Sequence, residues 1–232
     1  MRRLRAVFYA ACAVCLWTAA GFADNPAARS ARPRGDPADT RWEATVNAFA
    51  IADRDRPPPP GGVLFIGSSS IRLWNDLEKN FSAPVINRGF GGSRMSDCTR
   101  YLERLVIPYR PRLVLVYAGE NDLAGGKSPQ DVLRSFTSFV EGIRKELPET
   151  RIAYISIKPS PARRALMGEI REANRLILRY VAGAPNLDFI DVFTPMLDAD
   201  ELPRAELFRA DALHLNGAGY ALWKRIIAPY VR

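Results

Sequence analysis

The chain has 232 residues, 47% hydrophobic and 25% charged, with 33 lysines and arginines, 25 acids and a single histidine. That composition suits a globular domain with a sizeable core and excludes the disordered and fibrous classes. The net charge of +8 falls to +5 once residues 1–23 are set aside, because they carry three arginines and no acid. With no Lys/Arg block and no basic stripe interleaved with aromatics, that surplus does not point to nucleic acid.

The chain opens on MRRLR, continues through the apolar AVFYAACAVCLWTAA and ends that segment on GFA. A basic start, an apolar middle and a small-residue end predict a secretory signal peptide over residues 1–23, cut after Ala23. The expected product is secreted or periplasmic, with no stable membrane insertion after signal removal. A retained anchor fits less well, since a membrane span needs about 20 apolar residues. Lipid attachment at Cys12 also fits less well, with Tyr9 where a small or aliphatic residue is expected. Residues 24–39, polar and rich in Pro, Ala and Arg, read as a flexible leader. The folded domain is expected over 40–232. Its only cysteine is Cys98, so no internal disulfide forms, and Cys98 reads as a small buried residue.

TRWE at 40–43 predicts a capping box between Thr40 and Glu43, followed by a helix with Trp42, Val46 and Phe49 on one face. RPPPPGG at 56–62 stops it. Five short apolar runs follow: 63–66 (VLFI), 84–87 (PVIN), 112–119 (RLVLVYAG), 151–157 (RIAYISI) and 187–192 (LDFIDV). Between the later runs lie helical stripes. Ser128, Pro129 and Asp131 form a helix start, and Val132, Phe136, Phe139, Val140, Ile143 and Leu147 share a face. Leu166, Ile170, Ala173, Ile177 and Val181 make a second stripe. Asn216 caps a last helix carrying Tyr220, Trp223, Ile227 and Tyr230. Strands alternating with helices predict an α/β domain: a mostly parallel five-stranded sheet with helices on both faces.

In such sheets, ligands bind beyond the carboxyl ends of the strands. The polar clusters stand there: GSSS (67–70), NRGFGGSR (87–94), GEND (119–122) and KPSPAR (158–163), with DALHLN (211–216) before the last helix. His214 follows Asp211 by three residues, so the carboxylate can accept from Nδ1–H and leave Nε2 as a base. A strand-end serine, a histidine and an orienting aspartate are the parts of nucleophilic acyl transfer. Other motifs fail or compete. GGKS at 125–128 has Asn121 where a P-loop needs glycine, and Pro129 removes an N–H. GFGGSR at 89–94 has Arg94 where a dinucleotide fingerprint needs a third small residue. GSSSI at 67–71 is not a G-x-S-x-G elbow. GSSS as a cradle for a sugar phosphate stays open as a second reading. With one histidine and one cysteine after residue 23, a metal centre is poorly supplied, and no metal or cofactor is expected.

FIGSSS, NRGFGG, GEND and DALH, in this order, resemble the four sequence blocks of the SGNH (GDSL-type) hydrolases, from about Val63 to the C-terminus. The resemblance implies a flavodoxin-like three-layer α/β/α fold and an esterase, lipase or acetylesterase activity. It implies Ser69 as nucleophile, Ser68 standing where the family often has Asp, with Ser68 and Ser70 as weaker candidates. It implies oxyanion donors from Ser69, Gly92 and Asn121, with Gly89 and Gly91 beside the second. Asp211 and His214 complete a triad. Asp122 either ties down the loop bearing Asn121 or makes a plain Asx turn.

Arg88, Arg94, Glu120 and Trp74 are expected substrate contacts, with Lys158 and Arg163 on the same cationic rim. Trp74, Phe90 and Tyr117 are expected to build a shallow apolar floor. The expected partner is a small-molecule or polysaccharide ester: a short-acyl substrate, including carbohydrate O-acetyl groups. A lysophospholipase or thioesterase is the second choice, and a non-catalytic sugar-phosphate-binding module the third.

Overall fold

The structure, a computed structural model, describes residues 40–231. The expected signal peptide and leader lie outside the described residues. Thr40–Trp42 form one 3₁₀ turn, followed by α1 (Glu43–Asp55), β1 (Val63–Gly67), α2 (Ser69–Arg72) and β2 (Val85–Gly89). Next come α3 (Met95–Arg100), α4 (Leu102–Leu105), β3 (Leu113–Tyr117), α5 (Glu120–Ala124) and α6 (Pro129–Glu146). The chain ends with β4 (Arg151–Ile155), α7 (Met167–Ala182), β5 (Leu187–Ile190) and α8 (Gly217–Val231). No helix among the described residues is long and apolar enough to cross a membrane.

The five strands lie in the order β2-β1-β3-β4-β5. Every pairing is parallel, with Gly67 level with Gly89 on one side and with Tyr117 on the other. Parallel neighbours require crossovers, and the helices supply them on both faces. Side chains alternate across a strand, so each strand feeds two cores. Leu64, Ile66, Val114, Val116, Ile152 and Tyr154 face α1, α3, α4, α6 and α7. Val63, Phe65, Leu113, Leu115, Ala153 and Ile155 pack with Trp74, Trp223 and Ile227 on the other side.

The α6 stripe is buried as its spacing requires, with Val132, Phe136, Phe139 and Ile143 fully enclosed. Each such side chain contributes about 1.5–3 kcal/mol by leaving water. Ser128 and Asp131 satisfy each other's backbone N–H groups at the start of that helix. Asn216 caps α8 through Oδ1, which accepts from Ala218 and Gly219 N–H.

The start of α1 differs from expectation. Thr40 and Glu43 form no capping box; α1 begins at Glu43 without a side-chain cap. Trp42 is buried edge-on against Phe90 at 5.5 Å, and Glu43 turns instead to Arg104 at 2.8 Å. Burying an indole outweighs one exposed cap, which contributes only about 1 kcal/mol.

Because all five strands run the same way, their carboxyl ends open on one rim. There β1 delivers Ser69, β2 delivers Gly92, β3 delivers Asn121 and β4 delivers Arg163.

Candidate active site

Gly67 closes β1 with φ +146°, and a Cβ there would stand 1.9 Å from the Tyr117 carbonyl oxygen. Only glycine allows the chain to pass β3 at that distance and turn into α2. The turn leaves Ser68 and Ser70 buried, each 2% exposed, and Ser69 half-buried at the first position of α2. Of the three consecutive hydroxyls, only that of Ser69 lies in reach of His214, at 3.1 Å from Nε2.

The loop carrying His214 is closed at its base by an antiparallel bridge between Phe208 and Leu215. Inside it, one Asp211 oxygen accepts the backbone N–H groups of Leu213 and His214 at 3.0 and 2.9 Å. The other lies 2.7 Å from His214 Nδ1. A carboxylate only accepts, so Nδ1 carries the proton and Nε2 faces Ser69 with its lone pair. The His214 backbone N–H, then the imidazole, then the Leu213 N–H hold the Asp211 carboxyl well below the ordinary carboxylate range. Asp211 is therefore an anion at neutral pH.

Gly92 sits in the turn after β2 with φ +79°, and a Cβ there would meet the Arg41 guanidinium at 2.8 Å and the Trp42 ring at 3.5 Å. Gly89 closes β2, and Gly91 lies under the Arg72 side chain. From the other side, α5 brings Asn121: its Nδ2 donates to the Ser93 carbonyl at 3.1 Å and its Oδ1 accepts from Arg163 Nη2 at 3.0 Å. Asp122 ties the two sides together. Its buried carboxylate accepts the Met95 N–H at 3.0 and 3.3 Å, so it is more than a local Asx turn. Burial raises the Asp122 carboxyl, against the opposing Met95 hydrogen bond.

Glu120 and Lys158, expected on the rim, are inside. Lys158 Nζ donates to both Glu120 oxygens at 2.8 and 2.6 Å, and Tyr117 and Ser160 hydroxyls donate to them at 2.8 and 3.1 Å. Burial alone would raise the Glu120 carboxyl, but Lys158 and Arg163 outweigh it and hold it below its ordinary value. Sequence reasoning missed this pair. Opposite charges directly after neighbouring parallel strands were the available signal.

Two more expected contacts are corrected. The Arg88 guanidinium lies between the Phe49 and Tyr109 rings, at 4.9 and 4.5 Å. It donates to both Asp53 oxygens at 2.6 and 2.8 Å, with its side chain 6% exposed. It pins α1 to β2, so its guanidinium is engaged within the fold and not held out on the rim. Trp74 is buried among Phe65, Phe81, Tyr220 and Trp223. Phe90 and Tyr117 are fully buried as well, on opposite faces of the sheet, so no shared apolar floor exists. Arg94 stays half-buried, with its guanidinium against Gly125. Cys98 is buried, and burial pushes its thiol up. A cleft of about 730 Å³ runs between α1 and β2 and includes Arg72 and Gly89, but Ser69 and His214 do not line it.

A hydroxyl, an imidazole and a carboxylate in line, with an amide and a glycine turn opposite, can carry out acyl transfer through a tetrahedral oxyanion. The profile of the GDSL-like Lipase/Acylhydrolase family matches residues 67–222. Among solved structures, this chain is similar to a protein from Streptococcus pneumonia provisionally described as a platelet activating factor, at 20% identity and a TM-score of 0.73 over 82% of this chain and 92% of that one. It is similar to a GDSL-like lipase from Bacteroides thetaiotaomicron, at 21% identity and a TM-score of 0.68 over 81% and 97%. It is also similar to an acetyl-xylooligosaccharide esterase from Geobacillus Stearmophilus, at 15% identity and a TM-score of 0.61 over 75% and 95%. At such identities the likeness is one of fold. No curated protein sequence matches the chain.

Proposed function

The chain belongs to the GDSL-like lipase/acylhydrolase family and is a carboxylic ester hydrolase, and from that premise we propose that Ser69, His214 and Asp211 are its catalytic triad. The observation that carries this reading is the unbroken line from Ser69 Oγ to His214 Nε2 at 3.1 Å and from His214 Nδ1 to Asp211 at 2.7 Å.

Ser69 Oγ attacks the ester carbonyl carbon and its proton passes to His214 Nε2. The carbonyl oxygen becomes an oxyanion, which accepts from the N–H groups of Ser69 and Gly92 and from the Asn121 amide, each donor contributing about 3 kcal/mol. As the tetrahedral intermediate collapses, the C–O bond to the alcohol breaks and His214 gives that alcohol its proton. Water then attacks the acyl-enzyme, His214 takes its proton, and a second collapse frees the acid and returns the proton to Ser69. Asp211 holds the imidazole tautomer and stabilises the imidazolium each time it forms.

The substrate we propose is a short-acyl ester, with carbohydrate O-acetyl groups the favoured case. Arg41 and Asn121 border the donor turn, and the aromatic residues nearest the strand ends are taken up by the cores, which supports a small acyl group. The fold shared with an acetyl-xylooligosaccharide esterase is compatible with it. The basic, apolar and small-residue pattern of residues 1–23 supports export to the cell envelope or beyond, where such polymers are found.

The test is a fluorophosphonate probe followed by peptide mapping. An adduct on Ser69 that is abolished by prior denaturation supports the triad. Labelling on Ser68 or Ser70 instead overturns it. N-terminal sequencing of protein exported by its native route checks cleavage after Ala23.

A further inference from the structure

Asn121 is held at both ends of its amide. The two ends are alike in shape and opposite in hydrogen-bonding character. The Ser93 carbonyl only accepts, and it receives Nδ2–H at 3.1 Å; the Arg163 guanidinium only donates, and it gives to Oδ1 at 3.0 Å. A half-turn of the amide would set Oδ1 against a carbonyl and NH₂ against a cation. Both partners therefore select the same orientation, in which the N–H end faces the turn that holds Gly92.

Arg163 is itself fixed. Its side chain is 19% exposed and its Nη1 lies 3.8 Å from Glu120 Oε1. Lys158 already balances Glu120, so the group of three charges carries one net positive charge directly behind Asn121. Its backbone is tied on both sides of the site: Arg163 N–H donates to Ser160 and Ala162 N–H donates to the carbonyl of Ala212, inside the loop of Asp211 and His214. A cation on Oδ1 draws electron density from the amide nitrogen and makes its N–H a stronger donor, as linked hydrogen bonds do in a low-dielectric interior.

We infer that Arg163 is a positioning residue for catalysis: it locks the Asn121 amide with its donor end toward the oxyanion and strengthens that donor. The inference rests on the reading of Asn121 as an oxyanion donor.

A double-mutant cycle on a soluble aryl acetate tests it, with kcat and KM measured for the wild type, Arg163→Met, Asn121→Ala and the double variant. Removing an oxyanion donor costs about 10²–10³ in kcat, so a loosened one is expected to cost about 10–10², with KM within about threefold. In the Asn121→Ala background, Arg163→Met is expected to cost less than about threefold, because the group it acts through is gone. Arg163→Lys, which keeps the charge without the planar fork, repeats the cycle if Arg163→Met does not fold. An equal loss in both backgrounds would mean a merely structural arginine and overturn the inference, as would a folded Arg163→Met with wild-type kcat. If Asn121→Ala itself keeps full kcat, the oxyanion assignment falls first, and the inference with it.

Discussion

The carboxylate of Asp122 accepts the backbone N–H of Met95 at 3.0 Å, and together with the Asn121 to Ser93 hydrogen bond it joins α5 to the segment that follows β2. Met95 begins α3 three residues after Gly92, and Asp122 follows Asn121 in α5. Asp122→Ala strands a buried N–H, which costs about 1–3 kcal/mol of stability. It also frees the two proposed oxyanion donors, Gly92 and Asn121, to drift apart, so kcat is expected to fall about tenfold, part of what outright loss of a donor costs. Asp122→Asn keeps an acceptor oxygen for Met95 and is expected to stay within about threefold of the wild type. Thermal melts and steady-state kinetics on the two variants check both halves.

The three serines give the sharpest contrast. Ser69→Ala is expected to lower kcat by at least about 10³-fold, the usual cost of losing a triad member. Ser68 and Ser70 are buried beside it, and the Ser70 carbonyl accepts the Tyr220 hydroxyl at 3.0 Å. Their alanine variants remove no group in line with His214 and are expected to keep most activity. A dead Ser68→Ala beside an active Ser69→Ala would move the nucleophile by one residue.

The buried pair of Glu120 and Lys158 links stability to pH, and both members favour the fold more as pH rises, Glu120 in the acid range and Lys158 in the alkaline range. The Glu120 carboxyl is lower in the fold than its ordinary 4.5. Its ionisation therefore supports the fold fully above that value, and the support is lost as pH falls through the lowered one. Burial lowers the Lys158 ammonium from 10.5, so the folded chain holds that proton less tightly than the unfolded chain. That penalty eases as pH rises toward the ordinary value. Glu120→Gln leaves Lys158 buried without its counter-ion and is expected to cost about 3–5 kcal/mol. Adding Lys158→Met is expected to restore part of the loss, since it removes the orphaned charge. Melting temperatures from about pH 3 to pH 8 should show a steeper acid fall for the wild type than for Glu120→Gln.

These two cases show what a linear sequence carries. The strands were legible because each is a short, mainly apolar run followed by a polar cluster, uninterrupted in β1 and β3, and α6 and α7 because each has one unbroken stripe. The rim was legible because parallel strands place whatever follows them on one side. The pairing of Glu120 with Lys158 depends on β3 and β4 being neighbours, which no local pattern states. Arg88 read as a rim cation because its partners Asp53, Phe49 and Tyr109 come from elements that meet it only in the folded chain. The box at Thr40 failed for a similar reason: the burial of Trp42 against Phe90, a distant contact, decides where α1 starts.

The acyl group is the least local property of all, and chain length tests it directly. Each methylene that leaves water contributes about 0.8 kcal/mol, or about fourfold in kcat/KM, if the site has an apolar channel to receive it. Trp74, Phe90 and Tyr117 do not provide one, being enclosed in the two cores. Around Ser69 the structure supplies His214, Asn121 and, behind it, Arg163, none of which gains from a buried hydrocarbon. Across aryl esters of about two to sixteen carbons, kcat/KM is therefore expected to peak at about two to four and to fall beyond about eight. A steady rise of about fourfold per methylene to ten carbons or more would instead reveal an apolar channel and replace the acetylesterase reading with a lysophospholipase or thioesterase. If the short-chain peak is found, acetylated xylan or another O-acetylated glycan is the next substrate to measure, with acetate release as the readout. Acetate released by the wild type and not by Ser69→Ala would tie the carbohydrate activity to this site. Turnover of aryl acetates alone, with no release from any glycan, would keep the short acyl group and overturn the carbohydrate alcohol.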